Sequence, residues 1–304
     1  MNRLPKSALL IIFVSATLFS VSCKKDRVEK TMNSYESINS YLDSKKQAEQ
    51  VFVIDSSGQG PIAGNQGTRI WISKHCLQKP NGDTITWPYT VRLVELYTPK
   101  DIIYYQMPTV SAQGFLENDG EIRLRAFKDE TELVFKPYPC GCGIEMPNHA
   151  PKNYMRVFYG IESAITDWSS NGSQFGISSL ANPFFAHTDS SYQATIHRLG
   201  WIGCDSLAGN NTGGKITFQS STDELQNLGI FVYMPATRTV MQVYNALSGY
   251  IPSGTSIKII CIGIDSSGTL YTYYQSMTMS GDTSVEVTMN AISDADLTTL
   301  LNSL

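Results

Sequence analysis

The sequence Glu121-Ile122-Arg123-Leu124-Arg125-Ala126 contains the clearest secondary-structure signal in the chain. Apolar and charged residues alternate along it, so that Ile122, Leu124 and Ala126 face one side of a strand and the charged residues face the other. The triplet Asn118-Asp119-Gly120 predicts a turn into this strand. One apolar face and one polar face are typical of a strand in an antiparallel sheet.

The same alternation recurs on both sides of this strand. It begins near Val51, and it returns from Lys215 onwards, most clearly in residues 284–289, while residues 229–234 are predicted as a further strand. Turn sequences such as Asp265-Ser266-Ser267-Gly268 separate the short strands. The sequence therefore predicts a mostly β protein with two antiparallel β-sandwich-like domains and a short C-terminal helix.

The first 22 residues have the composition of a secretory signal peptide. Arg3 and Lys6 precede an apolar run that begins at Ala8, and small residues come before Cys23. The sequence around Cys23 resembles a bacterial lipobox. That resemblance implies cleavage before Cys23 and a diacylglycerol on its sulfur, with palmitate-type acyl chains as the attachment to a membrane.

The polar stretch of residues 23–48 is predicted to be a lipid-anchored tether. Within it, Tyr35, Ile38, Tyr41 and Leu42 recur at helical spacing, so a short amphipathic helix is an alternative to a flexible linker. Residue 24 is Lys and not Asp, so the aspartate that retains lipoproteins in the inner membrane of enteric bacteria is absent. This favours the outer membrane and leaves open which of its two leaflets carries the anchor.

The predicted domains follow from where the strand pattern is clear. Residues 49–149 form the first β domain, residues 150–204 an irregular β linker region, and residues 205–304 a second β domain that ends in the helix. Ser293 is a suitable N-cap residue for that helix.

Part of the first domain resembles a known family. The sequence Gly67-Thr68-Arg69-Ile70-Trp71-Ile72, the run of residues 91–96, and Gly114-Phe115-Leu116 followed by Gly120-Glu121-Ile122 resemble the ZU5-like β-sandwich domain of Bacteroidota-type lipoproteins. The resemblance covers roughly residues 50–148. It implies a sandwich fold and a lineage, but no chemistry.

The cysteines are candidates for disulfides, because exported proteins can form them. Beyond Cys23 they are Cys76, Cys140, Cys142, Cys204 and Cys261. Their odd number leaves at least one thiol over. One candidate pair joins Cys76 to Cys140 or Cys142, and another joins Cys204 to Cys261. A single C-x-C followed by His149 falls short of a structural zinc site, so no metal is predicted.

Composition and motifs restrict the function. The formal net charge of -4 argues against nucleic acid as a partner. The sequence has no nucleophile elbow, zinc-protease helix, P-loop or dinucleotide fingerprint, so neither enzymatic activity nor a cofactor is predicted. Trp168, Tyr271 and Tyr273 are candidates for an aromatic binding surface, although cross-strand packing explains them equally well.

The predicted function is a non-enzymatic binding or structural role at the outer membrane. The expected partners are the membrane, through the lipid anchor, and an envelope protein or a glycan. Two alternatives remain, an envelope-associated hydrolase and a subunit of a surface appendage or assembly. A cleft with converging acid or histidine side chains would favour the hydrolase, and an exposed strand edge would favour the assembly subunit.

Overall fold

A computed structural model describes residues 32–57, 60–162, 166–209 and 212–304. The predicted signal peptide, Cys23 and the start of the predicted tether lie outside the described residues. The helices are α1 (Asn39–Lys45), α2 (Pro99–Tyr105) and α3 (Asp294–Asn302), with short 3-10 helices at Lys74–Cys76 and Gly172–Phe175.

The strands follow one another along the whole described chain. They are β1 (Gln50–Ile54), β2 (Ile62–Ala63), β3 (Arg69–Ile72), β4 (Leu77–Gln78), β5 (Tyr89–Leu96), β6 (Val110–Ser111), β7 (Gly114–Lys128), β8 (Thr131–Glu132), β9 (Val134–Phe135), β10 (Cys142–Pro147), β11 (Arg156–Ile161), β12 (Asp167–Ser169), β13 (Ala186–His187), β14 (Ser191–Ile196), β15 (Gly200–Leu207), β16 (Ile216–Gln219), β17 (Gly229–Met234), β18 (Thr239–Val243), β19 (Ser256–Ile264), β20 (Leu270–Thr278), β21 (Thr283–Glu286) and β22 (Asn290–Ile292).

The first lobe is a sandwich of two antiparallel sheets. The large sheet has the order β1-β5-β7-β15-β11-β12, with β6 and β8 added to β7, and the small sheet has the order β13-β14-β10-β3-β2. Val91, Ile122 and Ile202 of the large sheet share a buried cluster with Ile70 and Ile144 of the small sheet. The predicted sandwich is confirmed, and the alternating positions of β7 form part of its core.

The predicted turn at Asn118-Asp119-Gly120 is wrong, because β7 runs through all three residues. Gly120 has a φ of 132°, and a Cβ atom there would lie 2.4 Å from the ring of Tyr97. The register between β7 and β15 shifts between Gly203 and Asp205. The triplet therefore marks a bulge inside a long strand, a place where turn-forming residues are also found.

Residues 150–204, predicted as an irregular β linker region, are an integral part of the sandwich. They supply β11, β14 and most of β15, and the predicted boundary at 204/205 falls inside β15. Both faces of β11 and β15 are covered: Val157 and Ile202 face the sandwich core, while Phe158 and Trp201 face a second core. A strand buried on both faces lacks the alternation that reveals it in a sequence.

The second lobe contains the C-terminal sheet, with the order β18-β17-β19-β20-β22, and a separate pair, β16 and β21. The sheet is antiparallel, as predicted, whereas β16 and β21 run parallel. Val232, Ile259 and Val285 belong to the buried cluster between these two parts.

The three helices form a layer that joins the lobes. Leu42, Ile103 and Leu301 of the helices share one buried cluster with Trp201 of the large sheet and Ile260 of the C-terminal sheet. Asn33–Leu304 is accordingly a single compact unit. The short C-terminal helix is confirmed.

The structure selects the helical alternative for the second half of the predicted tether. Tyr35, Ile38 and Leu42 are buried, and the Glu36 amide donates to the Ile264 carbonyl at 2.8 Å. The tether prediction was too long at its C-terminal end, because these apolar residues cover the C-terminal sheet and enter the helical layer. Any tether therefore ends before Asn33.

Candidate functional site

The cysteines form one disulfide in the described part of the chain. It joins Cys76 to Cys140, and Cys142 is a free, buried thiol. The predicted pair of Cys204 and Cys261 does not form, because Cys204 lies in the sandwich core and Cys261 in the core of the second lobe. Burial raises the pKa of the Cys142, Cys204 and Cys261 thiols, so all three are poorly ionised and suited to packing.

The predicted aromatic surface of Trp168, Tyr271 and Tyr273 does not assemble. Trp168, on β12, is 2% exposed, packs in the buried cluster that the helices share with the large sheet, and donates from Nε1 to the Pro108 carbonyl at 2.9 Å. Tyr271 and Tyr273 pack against the core of the second lobe. The prediction of one binding surface was wrong, and the packing alternative accounts for these side chains.

Two buried carboxyl groups lie beside the bulge in β7. Asn118 donates from Nδ2 to Asp205 at 2.9 Å and to Glu121 at 3.2 Å. Both acids are fully buried, and each has one oxygen without a hydrogen-bond partner. Burial raises the pKa of Asp205, and burial together with the charge of Asp205 raises the pKa of Glu121. Because solvent does not reach them, these acids are placed for structure and not for proton transfer to a substrate.

A neighbouring carboxylate, Asp119, organises the same region. It accepts a hydrogen bond from the Tyr192 hydroxyl at 2.6 Å and pairs with Lys152 Nζ at 3.0 Å. Lys152 also pairs with Glu117 at 2.9 Å. This network ties the small sheet to β7 through fully partnered charges. No group of three or more histidine, cysteine or acidic side chains suited to a metal ion occurs in the described ranges.

The outer face of the small sheet exposes a tryptophan. Trp71 lies on β3, is 44% exposed, and is paired across the sheet with Gly143 of β10. A Cβ atom at Gly143 would contact the indole at 3.7 Å, so a larger side chain there would cover part of the ring. Thr195 of β14 lies on the other side of Gly143. The glycine thus leaves the indole open along this row.

Polar side chains flank the open indole. Glu145 pairs across the sheet with Arg69 on one side and Gln193 on the other, one row along from Trp71. Phe184 is 45% exposed at the border, with the Arg156 guanidinium over its ring at 4.7 Å. We call the set Trp71, Gly143, Glu145, Phe184, Gln193 and Thr195 the Trp71 surface. It lines a depression of about 520 Å³.

A second depression meets the first at Trp71. Its volume is about 770 Å³, and it lies between the edge strand β1 and the edge of the small sheet. Val51 and Val53 contribute exposed methyl groups, and Trp87 forms part of the wall with Lys74 at 5.4 Å from its ring. Trp71 therefore stands between the two depressions and lines both of them.

The disulfide holds the strands that carry this surface. Cys76 follows β3 by four residues and Cys140 precedes β10 by two, so the bond closes the end of the pair that presents Trp71 and Gly143. The side chains of a site are positioned more accurately on paired strands than on loops.

The sequence predicted that Trp71 lies on a strand, but it did not identify Trp71 as a binding residue. One signal was present: Trp71 alternates with Ile70 and Ile72 and therefore shares the polar face of Arg69. A large aromatic residue on the polar face of a predicted strand indicates an exposed ring.

The comparisons with known proteins found no relative of this chain. No family model, no curated protein and no solved structure matches the chain. Across the described ranges, no helix has the length and apolar character needed to cross a membrane.

Proposed function

We propose that this chain is a lipid-anchored protein of the cell envelope that binds a polysaccharide through the Trp71 surface without catalysing a reaction. The observation that carries the proposal is the 44% exposure of Trp71 on a sheet face where its cross-strand neighbour is glycine. The negative face of an indole attracts the C–H groups of a sugar ring, which carry partial positive charge.

The polar groups around the indole support a sugar ligand over an apolar one. The carboxylate of Glu145 can accept hydrogen bonds from sugar hydroxyls, and the amide of Gln193 and the hydroxyl of Thr195 can both donate to them and accept from them. The two depressions on either side of Trp71 extend the surface beyond one sugar unit, which favours a chain of sugars as ligand. A sheet face of fixed geometry needs little ordering when it binds.

Binding is tested by co-sedimentation of the mature chain with insoluble peptidoglycan, chitin and cellulose. We expect retention on at least one of them, and Trp71→Ala should weaken it by about 5- to 150-fold, since an aromatic anchor contributes about 1–3 kcal/mol. Gly143→Leu should have the same effect while leaving the tryptophan in place. Tyr274→Ala is the matched control, because Tyr274 is 39% exposed on the other lobe. Equal retention of wild type and Trp71→Ala, or no retention on any polymer, contradicts the proposal.

The anchor is tested separately. Replacing the predicted lipid-bearing residue, Cys23→Ala, should move the protein from the membrane fraction to the soluble fraction, because two or more acyl chains supply stable attachment. Retention of the variant in the membrane fraction contradicts the lipid anchor and leaves the sugar-binding proposal standing.

A second candidate function, a subunit of an assembly, is favoured by the edge of the large sheet. The terminal strand β1 pairs with β5 in the sheet order, and Val51 and Val53 are 59% and 69% exposed. Such an edge can accept a strand from another chain. Val53→Lys should then reduce the mass of any oligomer measured by light scattering, whereas a monomeric wild type rejects this candidate.

A further inference from the structure

The second lobe exposes three large apolar side chains on one short loop. Tyr244, Leu247 and Tyr250 lie within seven residues of sequence and are 37%, 46% and 39% exposed. Ser248 and Ile251 of the same stretch are buried, so the loop has an inner side against the lobe and an outer side in solvent. Single exposed apolar residues are common on proteins, whereas a group of them indicates an interaction site. We call Tyr244, Leu247 and Tyr250 the loop patch.

The loop that carries the patch is fixed to the lobe by backbone hydrogen bonds. The Phe218 amide of β16 donates to the Ala246 carbonyl at 2.8 Å, and Gly214 and Ile251 exchange two bonds of 2.8 and 3.0 Å. The patch therefore keeps its shape without a partner, and little conformational entropy is lost when it binds one.

Near its start, the described chain lies beside the same strand. The Asn33 amide donates to the Thr222 carbonyl at 2.8 Å, and the Glu224 amide donates to the Asn33 carbonyl at 2.8 Å. Thr217 of β16 is bridged to Leu247 and precedes Thr222 by five residues, a span of at most about 18 Å. The loop patch and the point where the N-terminal segment joins the lobe are therefore close to each other.

The length of the N-terminal segment limits how far a membrane can lie from this point. Nine residues, 24–32, separate Cys23 from Asn33, and a fully extended chain of that length reaches about 35 Å. A bilayer that holds acyl chains on Cys23 lies within that distance of Asn33, which is on the lobe that carries the loop patch. We propose that the loop patch binds the surface of the bilayer that holds the anchor. This inference rests on the lipid anchor of the proposed function.

The side chains of the patch suit the headgroup region of a bilayer. A tyrosine combines an apolar ring with a hydroxyl that stays hydrated, and tyrosines are enriched where membranes meet water. Lys215 lies beside the patch, with Nζ 4.2 Å from the centre of the Tyr250 ring, and a lysine stem can lie on apolar surface while its charge stays in water. The exposed carboxylates of Glu224 and Glu286 lie near the end of β16, which favours neutral headgroups over anionic ones.

The anchor makes a weak contact of this kind effective. Three partly exposed side chains bury too little apolar area to hold the protein at a membrane by themselves. Once the N-terminal segment is attached to the bilayer, binding of the patch is an intramolecular step at a high effective concentration. The expected result is a fixed orientation of the second lobe against the membrane.

The test places a tryptophan in the patch and measures whether lipid quenches it. The mature chain is coupled through the Cys23 thiol to a maleimide phospholipid in phosphatidylcholine vesicles, which supplies an anchor at this position without cellular acylation. Acyl-brominated phosphatidylcholine should quench the emission that Leu247→Trp adds to wild type about twofold or more above the emission that Leu180→Trp adds. Leu180, 76% exposed on the first lobe, is the matched control. Equal quenching of the two variants overturns the proposal.

Further variants identify the contact. Tyr244→Ser with Tyr250→Ser, in the Leu247→Trp chain, should reduce that quenching by about half or more with little change in melting temperature, since both side chains are exposed. Tyr274→Ser, at a tyrosine that is 39% exposed on the same lobe, should leave the quenching unchanged. Quenching that persists in the double-serine variant, or a dimer in solution that Leu247→Ser dissociates, overturns the proposal. Because the coupling replaces the natural lipid, the result does not depend on the outcome of Cys23→Ala, and the anchor and the patch can fail separately.

Discussion

At the scale of single residues, the buried acids Asp205 and Glu121 make the stability of the fold depend on pH. Their carboxyl groups have no exposure to solvent and share one amide donor, Asn118. Burial raises the pKa of both groups, so the folded protein keeps protons that the unfolded chain releases near pH 4. The stabilisation that these bound protons contribute is fully present below that pH, and it is lost as the pH rises through the folded-state pKa of each acid.

The variant Asp205→Asn removes one of these titrations. We expect it to gain stability relative to wild type as the pH rises from about 4 to 8, by about 1–3 kcal/mol, because the wild type must bury a charge or hold a proton. Urea unfolding at a series of pH values measures the difference. A difference that does not change with pH would show that the carboxyl of Asp205 ionises as easily in the folded as in the unfolded state.

Asp223 supplies a control of opposite sign. Burial raises its pKa, but hydrogen bonds from Thr222, Tyr35 and Asn33 outweigh burial and lower it overall. The stability from this group is present above the unfolded-state pKa and is lost as the pH falls through the folded-state pKa. The deficit of Asp223→Asn relative to wild type should therefore grow with rising pH, up to about pH 4.

At the scale of elements, alternation in the sequence reveals the strands that have one solvated face. The alternation of β7 and β3 was visible in the sequence, whereas β11 and β15 are covered on both faces and had no such signal. Whether the polar side of a strand meets water or a helix depends on the tertiary structure. For this reason the sequence placed Trp71 on a strand but could not show that its ring is open, and it left Trp168 open between a binding surface and packing.

The pair β3 and β10 depends on the disulfide at its end. The bond spans 64 residues of sequence, and closing a loop of that length stabilises a protein by about 2–4 kcal/mol through the unfolded chain. The double variant Cys76→Ser with Cys140→Ser should lose about that amount in urea unfolding. It should also bind polysaccharide less well, because the end of the pair that presents Trp71 is released.

Reduction provides the internal control for that variant. Dithiothreitol should lower the stability of wild type towards that of the double variant and leave the double variant unchanged. A wild type whose stability and polysaccharide binding do not respond to complete reduction would show that the backbone pairing of β3 and β10 suffices.

At the scale of the whole molecule, the helical layer makes the two lobes one folding unit. Its buried cluster takes side chains from the large sheet, such as Leu96, and from the C-terminal sheet, such as Phe231. Two further contacts attach α3 to α1: Lys45 pairs with Asp294 at 2.5 Å, and Tyr41 donates to the same carboxylate at 2.7 Å. A chain with two independent sandwiches would lack such a shared core.

Because the core is shared, we expect that the substitution of a buried residue in α3 destabilises both lobes together. Leu301 is 1% exposed in this cluster, so Leu301→Ala should lower the free energy of unfolding by about 2–5 kcal/mol. Hydrogen exchange should then show equal losses of protection in β7 of the first lobe and β19 of the second, because both sheets border the cavity that the variant creates. Leu180→Ala, at a side chain that is 76% exposed, should change stability by less than about 0.5 kcal/mol. If protection falls in β19 and stays intact in β7, the lobes unfold separately and the helices belong to the second lobe alone.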